Sequence, residues 1–242
     1  MRVAVVSDIH SNLHALEAVL AAIEAESPDQ LWCLGDLIGY GPRPNECCAA
    51  IAECANVCLS GNHDLVVLGT LDMTDFAGEA ALAAEWTRGV LDEDAHAFLA
   101  PLEPEAKCDD VALYHGSARD PVWEYVLSDE AAWWTFQLAK EPLVLVGHSH
   151  VPLTISFDGD GLEGGVADEG SEVDLSEKRR LLNPGSVGQP RQGDPRACYL
   201  LLDLDAQRAT FRRVEYDVER TQSEMREAEL PEMLVARLAL GQ

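Results

Sequence analysis

Lysine is nearly missing from this 242-residue chain: Lys107, Lys140 and Lys178 are the only three, and 17 bases stand against 43 acids, a formal charge of -26. Such a surface repels phosphate backbones, which disfavours duplex DNA or RNA as a partner. Long apolar runs are absent. No stretch approaches the roughly 20 residues that cross a bilayer, and the first strand-like run, Arg2 to Ser7, leads straight into polar residues, so neither a membrane span nor a signal peptide is expected. A CxxC pair is also lacking, and the cysteines at 33, 47, 48, 54, 58, 108 and 198 are odd in number. Both facts fit reduced thiols in a cytoplasmic protein better than a disulfide frame. A zinc site from Cys47, Cys48, Cys54 and Cys58 would lack the usual ligand spacing, so burial as small apolar groups is the expectation for these thiols. The acidic charge reads as a solvated surface, with adaptation to a salty cytoplasm as the second reading.

What is present is ordinary globular material, 47% hydrophobic and 25% charged, enough for one large domain or two small ones. Strand-like runs occur at Val3 to Ser7, Leu31 to Leu34, Val57 to Ser60, Val111 to His115 and Leu143 to Val146. Helical patterns separate them. The first carries a stripe of Leu13, Leu16, Leu20 and Ile23, with Asn12 placed to cap it and Pro28 beyond its end. Further helices are expected at Pro44 to Cys54, Gly78 to Leu91 and Glu130 to Ala139. After residue 150 the runs Leu153 to Phe157, Arg180 to Asn183, Ala197 to Asp203 and Ala209 to Tyr216 predict a second, largely antiparallel sheet. Between them, residues 158–178 carry eight acids, one lysine and several glycines, which reads as a mobile insertion or hairpin tip. A helical tail is expected from residue 218, interrupted at Pro231.

Each of the first five strand candidates ends in a polar cluster: Ser7-Asp8-Ile9-His10, Gly35-Asp36, Gly61-Asn62-His63-Asp64, His115-Gly116 and Gly147-His148-Ser149-His150. One Asp or His at a strand end is usually a turn former. Ligands of open α/β sheets bind beyond the carboxyl ends of strands, so these clusters are expected to converge on one place. Five of the seven histidines lie in them. Carboxylates, imidazoles and an amide without thiolate suit divalent Mn, Fe, Zn, Ni or Co. Of the other histidines, His14 reads as a helix-surface, capping or supporting group and His96 as surface.

In this order, Asp8-x-His10, Gly35-Asp36, Gly61-Asn62-His63-Asp64, His115 and Gly147-His148-x-His150 resemble the full motif set of the calcineurin-like metallophosphoesterases, and in particular their small bacterial and archaeal phosphodiesterase branch. The resemblance spans residues 1–150 and continues through Asn183-Pro184-Gly185-Ser186-Val187-Gly188. It implies a single α/β domain over residues 1–242, a four-layer α/β/β/α sandwich of two mixed sheets flanked by helices. It further implies two divalent metal ions, manganese first among them. Asp8, His10 and His150 would hold one, Asn62, His115 and His148 the other, and Asp36 would bridge both, at the roughly 3.5–4 Å spacing of two-metal hydrolases. The implied reaction is phosphoester hydrolysis by a metal-bridging hydroxide, with His63 as general acid and Asp64 orienting and charging its ring.

The substrate is less constrained. Tyr40 stands where the GDxVDRG pattern of the protein-phosphatase and diadenosine-tetraphosphatase branches has an arginine. Without that cation a singly charged phosphodiester is the expectation, although Arg43, Arg119 or Arg191 could restore the grip. Tyr40, Arg119, Asn183 and Arg191 are the candidate substrate contacts, together with the segment Ser117 to Trp123. Trp123, Trp133 and Trp134 would stack a nucleobase if the small phosphoester is nucleotide-like, and are otherwise core or interface. A phosphomonoesterase or nucleotide pyrophosphohydrolase could use the same centre. The other class of reading is a non-catalytic scaffold like the metallophosphoesterase-like subunit of retromer, against which the presence of His63 speaks. Oligomeric state is left open.

Overall fold

Alternation within the first strand, β1 (Arg2–Val6), sets the layering of the computed structural model, which describes residues 1–242. Val3 and Val5 join one apolar cluster and Ala4 and Val6 another, because successive side chains of a strand point to opposite faces. The chain continues through α1 (Leu13–Glu26), β2 (Gln30–Cys33), α2 (Pro44–Cys54), β3 (Val57–Cys58), α3 (Asn62–Leu68), α4 (Gly78–Val90), α5 (Glu93–Leu99), β4 (Glu105–Cys108), β5 (Val111–Tyr114), α6 (Asp129–Leu138), β6 (Leu143–Val146), β7 (Leu153–Phe157), β8 (Leu162–Val166), β9 (Glu172–Asp174), β10 (Arg179–Asn183), β11 (Ala197–Asp203), β12 (Arg208–Val214), α7 (Val218–Glu227) and α8 (Glu232–Leu240).

Twelve strands form two mixed six-stranded sheets, ordered β3-β2-β1-β11-β12-β9 and β4-β5-β6-β10-β7-β8. Their inner faces share one cluster, in which Val3, Val5, Trp32, Leu200 and Phe211 of the first sheet meet Val111, Leu113, Leu145 and Leu182 of the second. Outside the first sheet, Leu16, Val19 and Ile23 of α1 and Cys47, Cys48 and Ile51 of α2 cover Ala4, Val6, Cys33 and Tyr199. Outside the second, Ala131, Ala132 and Phe136 of α6 cover Ala112, Val144 and Leu181. The four layers are those expected. Asn12 caps α1 by accepting the Ala15 N–H at 3.2 Å, and the helix stops at a left-handed Ser27 before Pro28.

Some expectations are corrected. The strands after residue 150 do not build a sheet of their own: β10 lies parallel to β6 in the second sheet, while β11 lies antiparallel to β1 in the first. Residues Ala197 to Leu202 are buried without interruption, as an inner strand covered on both faces must be. Of the two readings of residues 158–178, the hairpin holds and the mobile insertion does not. These residues supply the edge strand β8, paired to β7 as a hairpin, and the edge strand β9, paired to β12 in the other sheet. Acids on such edges discourage pairing between molecules. Of the expected Val57 to Ser60 strand only Val57–Cys58 pairs, and β4, α3 and α5 were not anticipated. Cys47 and Cys48 are buried, but Cys54 is exposed and Cys58 half-buried. No helix is long and apolar enough to cross a membrane.

The helical tail closes over the start of α1. Thr221 donates to the Asn12 side chain at 3.0 Å, and Met225, Leu234 and Leu238 form a cluster against which Tyr40 packs. Glu224 receives Arg43 at 2.8 Å and His14 at 3.0 Å, so His14 is a tail contact. The Arg43 hydrogen bond holds the Glu224 carboxyl down at about 2, with a smaller contribution from His14. A carboxyl depressed in the folded state stabilises fully above its unfolded value near 4.5 and loses that contribution as pH falls toward 2. Glu224→Gln is therefore expected to lower stability by about 1 kcal/mol at neutral pH. Its melting temperature should fall less steeply than wild type between pH 4.5 and 2, as followed by circular dichroism; parallel curves would show that the contact contributes nothing.

Candidate metal centre

The loops after β1, β2, β3, β5 and β6 all reach the same edge of the sandwich, and their backbones are unusual there. Asp8, His10, Ser11, Asp36, Tyr40, His148 and His150 have φ between 49° and 62°, the left-handed region that non-glycine residues seldom adopt. The chain bends sharply at each strand end and turns these side chains inward. Hydrogen bonds fix the turns: Asp8 N–H donates to Gly35 O and His10 N–H to Asp36 O, each at 3.0 Å, and Gly147 N–H donates to His115 O at 2.8 Å. Gly61 lets the β3 loop pass directly over Asp36, since a Cβ at that position would strike Asp36 Oδ1.

Two groups of ligand-type atoms result, and they share Asp36. Asp8, His10, Asp36 and His150 offer atoms within 4.8 Å of one another, as do Asp36, His115 and His148. His10 Nε2 and His115 Nε2 lie 3.6 and 3.5 Å from the same oxygen, Asp36 Oδ2. His150 Nε2 lies 3.5 Å from Asp8 Oδ1, and Asn62 Oδ1 is 3.2 Å from His115 Nε2, beside the second group. All seven expected ligands are thus brought together and buried.

The ring orientations set the proton positions. His10, His115 and His150 each direct Nδ1 at a backbone carbonyl, Ile38 O at 3.2 Å, Leu34 O at 2.9 Å and Gln189 O at 2.6 Å. A ring that donates from Nδ1 carries its lone pair on Nε2. His10 Nε2 and His150 Nε2 then face each other at 3.0 Å with no proton between them. His148 reverses the pattern, with Nε2 at 3.2 Å from Trp123 O. Asp8 and Asp36 each use one oxygen to hold a loop, accepting His148 N–H at 3.1 Å and His63 N–H at 2.9 Å. Their other oxygens, Asp8 Oδ1 and Asp36 Oδ2, are buried without a partner. Burial pushes the Asp8 carboxyl up to about 7 and Asp36 well above the carboxylate range. Burial likewise drives His10 and His150 well below the imidazole range and His148 down to about 2. Opposed lone pairs, orphaned carboxylate oxygens and neutral imidazoles together match what a divalent cation accepts.

The other expected site residues divide. His63 lies at the cluster, its ring centroid 4.8 Å from His10, 4.3 Å from Tyr40 and 4.4 Å from Phe76, and its Nδ1 is buried without a partner. Asp64 does not orient it. The Asp64 carboxylate instead accepts backbone N–H groups of Leu37 at 3.0 Å, Ile38 at 3.1 Å and Gly61 at 2.9 Å, because it occupies the third position of α3 and turns back onto the helix start. Asn183 is buried and bonded within the protein. It donates to Gly147 O and Ser149 Oγ and accepts from Gly185 N–H, which holds the loop of His148 and His150. Arg119 is tied to Glu124 and Glu130, and Arg43 to Glu224 and Glu46. Arg191 is different: it forms no ion pair, donates to Gln189 Oε1 at 3.0 Å, and adds to burial in depressing His63 and His150, while burial raises the Tyr40 hydroxyl in spite of Arg191. The Tyr40 ring packs tilted against His10, centroids 4.6 Å apart and planes at 52°.

Trp133 and Trp134 are half-exposed on α6, edge to face with each other, and Arg119 lies over Trp134. Trp123 meets His148 through its carbonyl and Phe76 through its ring. Two site residues went unnoticed in the sequence: Phe76, against His63, and Tyr125, whose ring is stacked on His148 at 4.0 Å and 6°. No motif marks either one.

Comparison with known proteins agrees with this geometry. Residues 1–207 match the model of the calcineurin-like phosphoesterase superfamily domain, and the chain belongs to that family. The crystal structure of a metallophosphoesterase from Sphaerobacter thermophilus is 43% identical and superposes with a TM-score of 0.91, covering 100% of this chain and 99% of that one. An uncharacterized protein of Methanocaldococcus jannaschii is 38% identical over 99% of this chain and 98% of its own length. A hypothetical protein from Pyrococcus horikoshii, 21% identical, shares the fold at a TM-score of 0.82 over 100% of this chain and 98% of that one. Family and site together define a phosphoric ester hydrolase with a cluster of Asp and His residues suited to divalent metal.

Asp64→Asn places an amide N–H against one of the three backbone N–H groups that the carboxylate now accepts. The expected loss is about 1–3 kcal/mol in urea unfolding. An unchanged urea midpoint would refute the anchoring role.

Proposed function

We propose that the protein is a binuclear-metal phosphodiesterase. The observation that carries this reading is the pair of ligand groups sharing Asp36, whose Oδ2 has a histidine from each group within 3.6 Å and no hydrogen-bond donor of its own. Asp8, His10, Asp36 and His150 would hold one ion, and Asp36, Asn62, His115 and His148 the other. Manganese is the first ion to test, since the donor set is nitrogen and oxygen only; Fe, Zn, Ni and Co accept the same donors. When bound, two such ions supply a nucleophilic water of lowered pKa and polarise the phosphoryl oxygens.

The chain's own residues do the rest. His63 stands beside the cluster with an unengaged ring, held by Tyr40 and Phe76. Burial first, and Arg191 next, keep that ring well below the imidazole range, so the resting ring is neutral. It serves the departing alkoxide as an N–H donor in the transition state. Arg191, which forms no ion pair and donates to Gln189, is the cation that grips a non-bridging phosphoryl oxygen. Tyr40, packed between His10 and His63 where related branches carry an arginine, contributes a neutral ring, which favours a singly charged diester. Phosphomonoester hydrolysis is the second reading, and the unpaired Arg191 is what favours it. The substrate is a small phosphoester, and the protein acts in the cytoplasm.

Two variants test the assignment. Asp36→Asn is expected to lose at least one metal equivalent per chain by elemental analysis, together with activity; full loading would remove the shared ligand from the scheme. His63→Ala should keep its metal content while turnover of a diester with a poor leaving group drops by roughly 10²–10⁴. Measuring diesters against monoesters with Mn, Ni, Zn and Mg decides the substrate class, and faster monoester turnover would reverse the reading.

A further inference from the structure

Between the start of α6 and the β7–β8 hairpin lies a cavity of about 290 Å³ that none of the chemistry above uses. One wall is the β7–β8 hairpin, on which Leu153, Ile155, Leu162 and Val166 are lining residues. Gly164 pairs with Ile155 in the middle of that wall and must stay glycine, since its φ is +156° and a Cβ would run into the Thr154 carbonyl. The facing wall is Val126, Leu127 and the start of α6. Large apolar groups remain exposed at the mouth, Leu127 by 58% and Val166 by 59%.

Two lining residues follow site residues directly. Val126 comes after Tyr125, whose ring is stacked on His148, and Val151 comes after His150. His63 contacts His10, Tyr40 and Phe76, none of which lines this cavity. The cavity and the surroundings of His63 thus share no residue, so a group lodged here would be the ester arm that does not depart at His63. Every charged residue of the lining is an acid, Asp129 and Glu163; Lys178 pairs with Glu163 from outside it. An anionic substituent is repelled and an apolar one buries surface.

We propose that this cavity receives the non-leaving ester group of the phosphodiester and selects an uncharged, apolar one. The proposal rests on the phosphodiesterase reading above and narrows its substrate class.

The test uses manganese-loaded protein and p-nitrophenyl phosphodiesters that differ only in the second ester group: methyl, butyl and 3-carboxypropyl. All release the same phenolate, so the leaving step is held constant. Each fully buried methylene is worth about fourfold, and kcat/KM for the butyl ester is expected to exceed that for the methyl ester by at least about tenfold. The carboxypropyl ester should fall to the methyl level or below. In the double variant Leu127→Asp, Val166→Asp the butyl-to-methyl ratio should collapse to about one, whereas a general structural defect would lower both rates and keep the ratio. A wild-type ratio near one, or a variant that retains the preference, overturns the proposal. Calorimetric binding of the monomethyl esters of butylphosphonate and methylphosphonate separates this outcome from failure of the hydrolase reading. If no diester turns over but the butyl compound binds about tenfold tighter, and the variant loses that difference, the cavity stands without the reaction; equal or absent affinities overturn it.

Discussion

The carboxylate of Asp36 is the constraint around which the rest of the molecule is arranged. One oxygen takes the His63 N–H and so fixes the start of α3; the other faces His10 and His115 with no donor. A buried carboxylate in that position is unfavourable unless a cation answers it. Asp64, 27 residues from Leu37, secures the β2 loop to the β3 loop, and those two loops carry Asp36 and Asn62. The scaffold spends much of its irregular backbone on keeping one oxygen free.

Mixed sheets make this arrangement possible. The parallel runs β3-β2-β1 and β5-β6 bring the carboxyl ends of five strands to one edge, and β10 and β11 lock each run in place through central, fully covered pairings. The tail adds a further restraint, since α7 and α8 lie outside the residues matched by the family model and yet pack on Tyr40 and bond to Asn12. The position of an aromatic ring at the site thus depends on residues near 225 and 238.

The candidate ligands were legible because each is a side chain in a short motif at a strand end, and their convergence followed from the α/β pattern alone. Their supports were not, because Ile38, Leu34, Gln189 and Trp123 act through carbonyl oxygens that every residue possesses. Asp64 misled by adjacency to His63, although its place three residues after Gly61 is a capping-box signature that could have been read. Edge strands also escaped notice. Glu105–Cys108 and Leu162–Val166 carry charge or glycine and gain their conformation from the neighbour they pair with. The two-sheet partition of the last strands depends on which neighbour each one finds, a long-range choice that a local pattern does not encode.

Seven non-glycine residues held in the left-handed region store conformational energy of about 1–3 kcal/mol each. Much of that stored energy sits on the residues that would grip the ions, so occupancy and folding draw on a common equilibrium, and a ligand that binds only the folded chain deepens it in proportion to the logarithm of its concentration. With metal bound there, the lifetime of the polypeptide would be tied to the supply of ions: a chain short of them would open more often and meet proteases, and its abundance would follow that of the element.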